Sequence, residues 1–478
     1  MEIVNGIIGF MNNLLWTYVI IGGLLGLGVY FSVKTNFVQL RMIKEMLRLL
    51  TDKAMVTTDG KKGISSFQSF CIGAATRIGT GNLAGVAIAI AIGGPGAIFW
   101  MWIVALFGGA TSFIESTLAQ VYKVKDNEGF KGGPAYYMQK ALNARWLGIL
   151  FAFFIALAFG LIFNAVQSNT ISLAFEAAFG TNRTIIGLIL VGLTALVIFG
   201  GVKRIAKVSE IIVPIMAVFY ILLGLYVMVT NISQVPAVFA LIVKSAFGLE
   251  QAIGGGIGAA IMNGVKRGLF SNEAGMGSAP NAAATAVVSH PAKQGLIQTL
   301  GVFVDTLLVC SATGFIILLG DAYGKQDLTG IELLQASLAS HVGGWAGIFV
   351  AISIFLFAFS SIIGSYYYGE TNIEFIKKSA RNVFIYRLGV LGMVMFGALA
   401  SLQIVWDLAD LSMALMATIN LIAIFLLGKI AFKVLKHYQD QRKEGKDPVF
   451  YADSIPGLGD LEGWEMSPSE KEKKQRVS

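Results

Sequence analysis

Charge is scarce in this chain. Only 13% of its 478 residues are Asp, Glu, Lys or Arg, while 55% are apolar and 56 are glycine; a soluble domain carries about 25% charge. Because the shortage extends over nearly the whole length, a soluble enzyme with a single anchor is excluded and the bilayer becomes the solvent. Cysteine is limited to Cys71 and Cys310, both in apolar runs, which excludes a disulfide scaffold and makes them small core residues. The three histidines, His290, His341 and His437, have no second histidine at metal-binding spacing, and the glycine-rich stretches lack a Walker lysine. Carboxylates inside the apolar runs lie beside basic residues and not in a pair poised to share a proton, so the chain reads as a non-enzyme.

What is present is a series of apolar runs. A hydrocarbon core of about 30 Å needs about 20 apolar residues per helix. About eleven such runs are predicted, at 14–33, 68–91, 96–122, 147–176, 184–201, 209–230, 251–287, 293–320, 343–367, 384–402 and 408–434. The first lacks a basic n-region and a small-residue cleavage site, so a retained span is expected instead of a signal peptide. Sorted by alternate loops, about 30 of the 36 Lys and Arg residues fall on one side and about 3 on the other. Lys34, Arg41, Lys44, Arg48, Lys53, Lys61 and Lys62 all lie in one such loop. The net charge of +8 is therefore topology, not nucleic-acid binding: the N-terminus is expected outside and the C-terminus in the cytoplasm. The charged tail from about Tyr438 reads as a solvated cytoplasmic extension.

Two runs are interrupted. The second is broken at Gly79-Thr80-Gly81-Asn82, and the seventh at Gly268-Leu269-Phe270-Ser271-Asn272-Glu273-Ala274-Gly275. Glycine weakens a helix interior by about 1 kcal/mol per residue. Both breaks carry Asn-x-Ala-Gly, at Asn82 to Gly85 and Asn272 to Gly275. Interrupted segments at corresponding places in two halves point to an inverted-repeat transporter with its site near the bilayer midplane. The expected organisation is an extra N-terminal helix and basic segment (1–66), a first repeat (67–230), a second repeat (231–434) and a C-terminal tail (435–478). Unwound backbone at that depth is tolerated only in protein or at a cavity, where free N–H groups suit a carboxylate and free carbonyls suit a monovalent cation.

At these residues the sequence resembles a known family. Ile78-Gly79-Thr80-Gly81-Asn82-Leu83-Ala84-Gly85, Gly93-Gly94-Pro95-Gly96-Ala97, Gly132-Gly133-Pro134-Ala135-Tyr136-Tyr137 and Gly264-Val265-Lys266-Arg267-Gly268-Leu269-Phe270-Ser271-Asn272-Glu273-Ala274-Gly275 resemble the alanine or glycine:cation symporter family. The resemblance covers roughly residues 10 to 430. It implies an all-α leucine-transporter-like fold with a 5+5 inverted repeat, and sodium-coupled uptake of a small neutral amino acid. It further implies that Thr80 and Gly81 receive the substrate carboxylate and that Gln167 and Phe270 line the pocket, with Asn82 and Ser271 as the polar residues of the two breaks. For sodium it suggests the carbonyls of Ala75, Ile78 and Phe357 with the hydroxyls of Ser360 and Ser361; five neutral oxygens can replace much of a hydration shell. Ser360 and Ser361 can equally bond back to their own helix. No cofactor is implied beyond the coupling ion.

Two positions depart from the alanine carriers. Ser365 stands where they have tryptophan, which opens the side-chain end of the pocket and favours glutamine over alanine or glycine. Arg77 stands where a small polar residue is usual; at mid-membrane it costs roughly 2.5–3.5 kcal/mol and must face a cavity or partner. Glu115, Glu273 and Asp305 are candidate partners, the substrate side chain is a second, and replacement of a bound cation is a third. Lys266 and Arg267 are expected to stabilise the second break, with Arg267 approaching Glu273, or to form a cytoplasmic gate, more than to bind substrate. Trp100, Trp102, Tyr136, Tyr137, Tyr366, Tyr367 and Tyr368 read mainly as interface anchors. The leading reading is a sodium symporter working by alternating access; a proton-coupled or sodium-independent carrier is the alternative, and a channel a more distant one.

Overall fold

Each apolar run is built from helix over its described residues. The computed structural model describes residues 2–52, 63–126, 129–200, 202–249, 256–324 and 328–470; Lys53, Lys61, Lys62 and the first five residues of the run at 251–287 lie outside them. The membrane helices are α1 (Gly6–Lys34), α2 (Ser66–Arg77), α3 (Gly81–Gly93), α4 (Gly96–Val121), α5 (Arg145–Phe179), α6 (Arg183–Ile198), α7 (Val202–Thr230), α8 (Ile257–Asn272), α9 (Ala279–Thr285), α10 (Pro291–Leu319), α11 (Ala346–Ile376), α12 (Ala380–Leu399) and α13 (Leu402–Lys443). Among the described residues eight helices are long and apolar enough to cross a bilayer. The α2–α3 pair, bent by 50°, makes a ninth. The other two predicted spans appear as the 16-residue α6 and as the interrupted pair α8 and α9.

Short helices at Pro134–Ala141, Val235–Ala246 and Gly330–Val342 were not expected, since their apolar runs are too short to span. A small antiparallel hairpin pairs Val124–Asp126 with Gly129–Lys131. Around the site, α4 packs on α8 and α10, α5 packs on α11 and α12, and α2 packs between α7 and α11.

Local chemistry sets the helix ends. Ser65 starts α2 with a capping box, in which its hydroxyl accepts from Gln68 N–H and Gln68 Oε1 accepts from Ser65 N–H, both at 3.1 Å. The helix stops when Ile78 turns to extended backbone (φ −79°, ψ 91°). The second break falls later than the glycine pattern predicts. Gly268 is inside α8, packed against Met101; the chain leaves the helix at Glu273 (φ 59°) and turns through Gly275 (φ 88°) and Gly277 (φ 85°), left-handed geometry suited to glycine.

Two surface expectations change. Tyr137 and Tyr368 are fully buried, and Tyr136, Tyr366 and Tyr367 nearly so. They are core groups: Tyr137 donates to Asn420, and the Tyr368 hydroxyl lies 3.2 Å from Thr76 Oγ1. Trp100 and Trp102, half-buried, use their indole N–H groups inside the protein, on Ala246 O and Ser311 Oγ. Nor is the tail wholly solvated: Phe450, Ile455, Leu458 and Leu461 are buried.

Candidate functional site

The two breaks meet. A Cβ on Gly81 would lie 3.0 Å from Ser271 Cα and from Phe270 Cδ1, and one on Gly79 would collide with Ser361 Oγ. Absent side chains at Gly79 and Gly81 therefore let α2–α3 approach α8 and α11 more closely than any other residue would allow. The freed backbone is satisfied locally. Gly79 N–H donates to Asn82 Oδ1 at 2.9 Å, and Thr80 donates to Gln167 Oε1 through its N–H at 3.0 Å and its hydroxyl at 2.5 Å. Gln167 reaches in from α5. Its carboxamide oxygen holds the donors that the resemblance assigns to a substrate carboxylate.

Beside them Asp305 collects the polar side chains of both breaks. Asn82 Nδ2 donates to Asp305 Oδ1 at 2.6 Å, and the Ser271 and Thr306 hydroxyls donate to Oδ2 at 2.9 Å. Cys310 Sγ lies 3.3 Å from Asn82 Nδ2 and 3.2 Å from Ser271 Oγ. Asp305 and Cys310 are brought there by a π-helical stretch of α10, Val304–Cys310, a distortion that recurs at functional sites. Thr80, Gly81, Asn82, Gln167, Phe270 and Ser271 thus form one neighbourhood.

Above it lies an aromatic lid. Phe270 is sandwiched by Phe163 and Trp406, with ring centroids 4.5 and 4.7 Å away. One turn before Phe270, Arg267 donates to both oxygens of Asp410 at 2.6 and 2.7 Å and lies 4.4 Å from the Trp406 ring; Lys266 adds a 3.4 Å contact to Asp410. Arg267 therefore pairs with Asp410 on α13 and not with Glu273. The reason is direction: Arg267 sits inside α8, before the break, while Glu273 turns away beyond it and takes a hydrogen bond from Ser278 at 2.6 Å.

The oxygens suggested for sodium largely come together. Ser361 Oγ donates to Ala75 O at 2.8 Å and lies 3.2 Å from Phe357 O; Ser360 Oγ donates to Phe357 O at 2.8 Å and lies 3.5 Å from Ala75 O. These four groups, all buried, join the end of α2 to the middle of α11. No hydrogen bond ties the Ile78 carbonyl to them. The hydroxyls bond back to their own helix and also reach across to α2, which is a helix-to-helix contact.

Ser365 and Arg77 stand apart. Ser365 is buried on α11, one turn beyond Ser361, and makes no hydrogen bond to the other site residues. Arg77 turns toward α10, donating from Nη1 to Gln298 Oε1 at 3.0 Å and Gln298 O at 3.3 Å, in space left by Gly301. It forms no ion pair with Glu115, Glu273 or Asp305. Its Nε and Nη2 are buried without a partner, as is Glu273 Oε1.

Several roles were missed by sequence reasoning, which weighed Glu115 only as a partner for Arg77. Glu115 accepts from Gly275 and Gly277 N–H at 3.1 Å and from Asn420 Nδ2 at 2.8 Å, and Asn420 Nδ2 also reaches Gly275 O. Asp410 and Trp406 were overlooked as well. The available signal was Asp410 itself, a carboxylate inside an apolar run that needs a cationic partner.

Known proteins resemble this chain closely. A family model described as the sodium:alanine symporter family matches residues 1–452. The probable sodium/glutamine symporter GlnT of Bacillus subtilis (strain 168) is 60% identical, over 98% of this chain and 97% of its own length. The sodium/alanine symporter AgcS of Methanococcus maripaludis is 40% identical, over 91% of this chain and 98% of its own length. Among solved structures, MhsT in complex with L-phenylalanine aligns with a TM-score of 0.54 at 11% identity, over 80% of this chain and 99% of MhsT. A mutant manganese transporter of Eremococcus coleocola aligns with a TM-score of 0.51 at 13% identity, over 90% of this chain and 95% of its own. The likenesses to these two structures concern the fold alone.

Proposed function

This chain belongs to the sodium:alanine symporter family, a family of transporters and not of enzymes, with a leucine-transporter-like helical fold, and on that premise we propose that it imports a small neutral amino acid with sodium by alternating access. The meeting of the two breaks at Thr80, Gly81, Phe270 and Ser271 carries this reading. In it, the substrate carboxylate takes the place of Gln167 Oε1 on the Thr80 N–H and hydroxyl, and the apolar stem lies under Phe270. Sodium binds the carbonyls of Ala75 and Phe357 and the hydroxyls of Ser360 and Ser361, with Ile78 completing the set. An ion held between α2 and α11 contributes only where those helices are close, so its binding biases the carrier between its two openings. The 67–230 and 231–434 halves act as the repeats, each with its first membrane segment interrupted.

With the N-terminus outside, the Arg267–Asp410 pair and aromatic lid form an extracellular gate and not the cytoplasmic one expected from the sequence, because Arg267 precedes the break in α8 and Asp410 lies near the start of α13. One sodium crossing about 100 mV gains roughly 2.3 kcal/mol, and a tenfold gradient adds about 1.4 kcal/mol, which supports accumulation of several hundred-fold. Glutamine is the favoured substrate, because Ser365 leaves room for a longer side chain and because a relative 60% identical is named a sodium/glutamine symporter.

A second reading, coupling to protons or independence from sodium, draws on Arg77. Its guanidinium is held by Gln298 and pairs with none of the buried carboxylates Glu115, Glu273 and Asp305, so those groups draw on protons or cations for neutralisation. Uptake of labelled glutamine, alanine and glycine into proteoliposomes, with sodium and proton gradients imposed separately, decides between them. Sodium-driven uptake with glutamine preferred is expected; uptake indifferent to sodium sinks the ion assignment, and alanine transported far better than glutamine sinks the substrate assignment.

A further inference from the structure

α13 has 42 residues, about 63 Å of helix, twice the roughly 30 Å hydrocarbon core. Beyond its end the chain folds back under the protein. Phe450 N–H donates to Ser289 O, and Ser289 Oγ donates to Pro448 O, both at 2.8 Å. Trp464 Nε1 donates to Gln120 O at 2.9 Å, and Glu462 pairs with Lys140 at 2.8 Å. Residues 448–467 thus strap together the end of α4, the start of α10 and the Pro134–Ala141 helix. They also close over the end of the second broken segment: Gln120 Nε2 and Lys123 Nζ both donate to Ala286 O, just past α9, at 3.0 and 3.1 Å. Lys123 in turn lies between the Phe130 and Trp464 rings, 4.3 and 4.5 Å from their centroids. Any opening on this side must part elements that the strap holds together.

Two histidines sit at its root. His290 is fully buried at the N-cap of α10, its Nδ1 accepting from Ala292 N–H at 3.2 Å. Its proton therefore resides on Nε2, which lies 3.0 Å from His437 Nδ1. A single proton makes that bond. A second would set two N–H groups face to face and place a cation beneath Phe450, whose ring lies 5.5 Å from His290 and 5.9 Å from His437. The charged neighbours offer little relief. On α10, Lys293 is held by Asp52 and Asp447; on α13, Asp440 lies beyond His437; and Tyr438, edge-on to His290 at 5.0 Å, donates to Glu45, which is already shared with Arg48 and Arg442.

We propose that residues 448–467 are a latch that holds the cytoplasmic side shut, and that protonation of the His290–His437 pair releases it, so that cytoplasmic acidification speeds transport. Burial holds the His290 imidazole well below its usual range, with His437 and Lys293 pushing the same way. The docked strap thus favours neutral imidazole. Docking is at full strength above the ordinary imidazole value of about 6.5 and weakens as pH falls below it. Burial also lowers Lys123 to about 7; its contribution has the same sign but is lost between the ordinary lysine value of about 10.5 and about 7, above the imidazole window.

The release itself is independent of the carrier reading, while its effect on uptake rests on that reading; the test separates the two. In the full-length protein in lipid nanodiscs, hydrogen exchange of peptides within 448–467, corrected for intrinsic rates, is expected to be about tenfold faster at pH 6.0 than at 7.5. His290→Asn joined to His437→Gln, which leaves neither position able to take up a proton while Asn keeps a cap acceptor for Ala292 N–H, reduces that difference to the part that Lys123 supplies. In proteoliposomes, Phe450→Ala with Trp464→Ala raises maximal uptake severalfold at unchanged KM. Joining Lys140→Cys to Glu462→Cys with a reducible bismaleimide suppresses uptake until reduction restores it; the native Cys71 and Cys310 are buried. Equal protection at both pH values overturns the histidine release, and uptake unaffected by the crosslink overturns the latch. Protection that changes with pH in a protein that moves no amino acid would instead overturn the carrier reading.

Discussion

At the first break the backbone is held by neutral amides, Asn82 on Gly79 and Gln167 on Thr80. At the second, Asn272 holds Ala274 in the same way, but Gly275 and Gly277 are held by an ionisable carboxylate, Glu115, buttressed by Asn420 and Tyr137. The difference concerns replaceability. One carboxamide oxygen from a neighbouring helix can give way to a ligand oxygen of the same hydrogen-bonding character. A buried group accepting three N–H bonds cannot leave without orphaning them, at about 1–3 kcal/mol each. The first break therefore has the chemistry of a binding end and the second that of a fixed bend.

Substitutions at and around the two breaks test this contrast. The largest effect is expected at Glu115. Glu115→Ala should destabilise the folded carrier by about 3 kcal/mol or more, read as a lowered thermal unfolding midpoint in detergent, with Glu115→Gln milder because it keeps one acceptor oxygen. An unchanged midpoint for the alanine variant would remove the fixed bend from the comparison. Next, Ser361→Ala removes an oxygen shared between α2 and α11 and should raise half-saturating sodium about tenfold, equivalent to about 1.4 kcal/mol. The same variant should leave amino acid KM nearly unchanged at saturating sodium. Ser365→Trp should shift preference from glutamine toward alanine by about fivefold, within the range a changed pocket contact supplies; retained preference would show that the side-chain end lies elsewhere. The smallest effect is expected at Gln167→Ala. It should change amino acid KM by about threefold without altering the unfolding midpoint, because Thr80 is then free for either water or substrate.

The degree to which these features could be read in advance follows from their physical range. Apolar runs, the first break and the residues around it were legible because hydropathy and glycine act locally. The second break was displaced to Glu273–Ser278 because the left-handed turn, and not the glycine at 268, ends α8; Gly268 instead makes room for Met101. Arg267 found Asp410, 143 residues away, where chain proximity had suggested Glu273. Arg77 found Gln298 and not one of the three carboxylates weighed for it. Buried tyrosines looked like interface anchors because composition does not reveal which face of a helix meets lipid.

Two things were determined by the sequence alone: a bilayer as solvent, and the location of unwound backbone in the first broken segment. Both depend on residues within one helical length of each other. Which groups satisfy that backbone was decided only by tertiary structure. Gln167, Asp305, Glu115 and Asp410 lie on other helices, and a buried N–H or charge takes whichever partner the packing brings within about 3 Å. The same holds for the tail: its charge suggested solvent, while Phe450 and Trp464 find partners more than a hundred residues earlier, at Ser289 and Gln120.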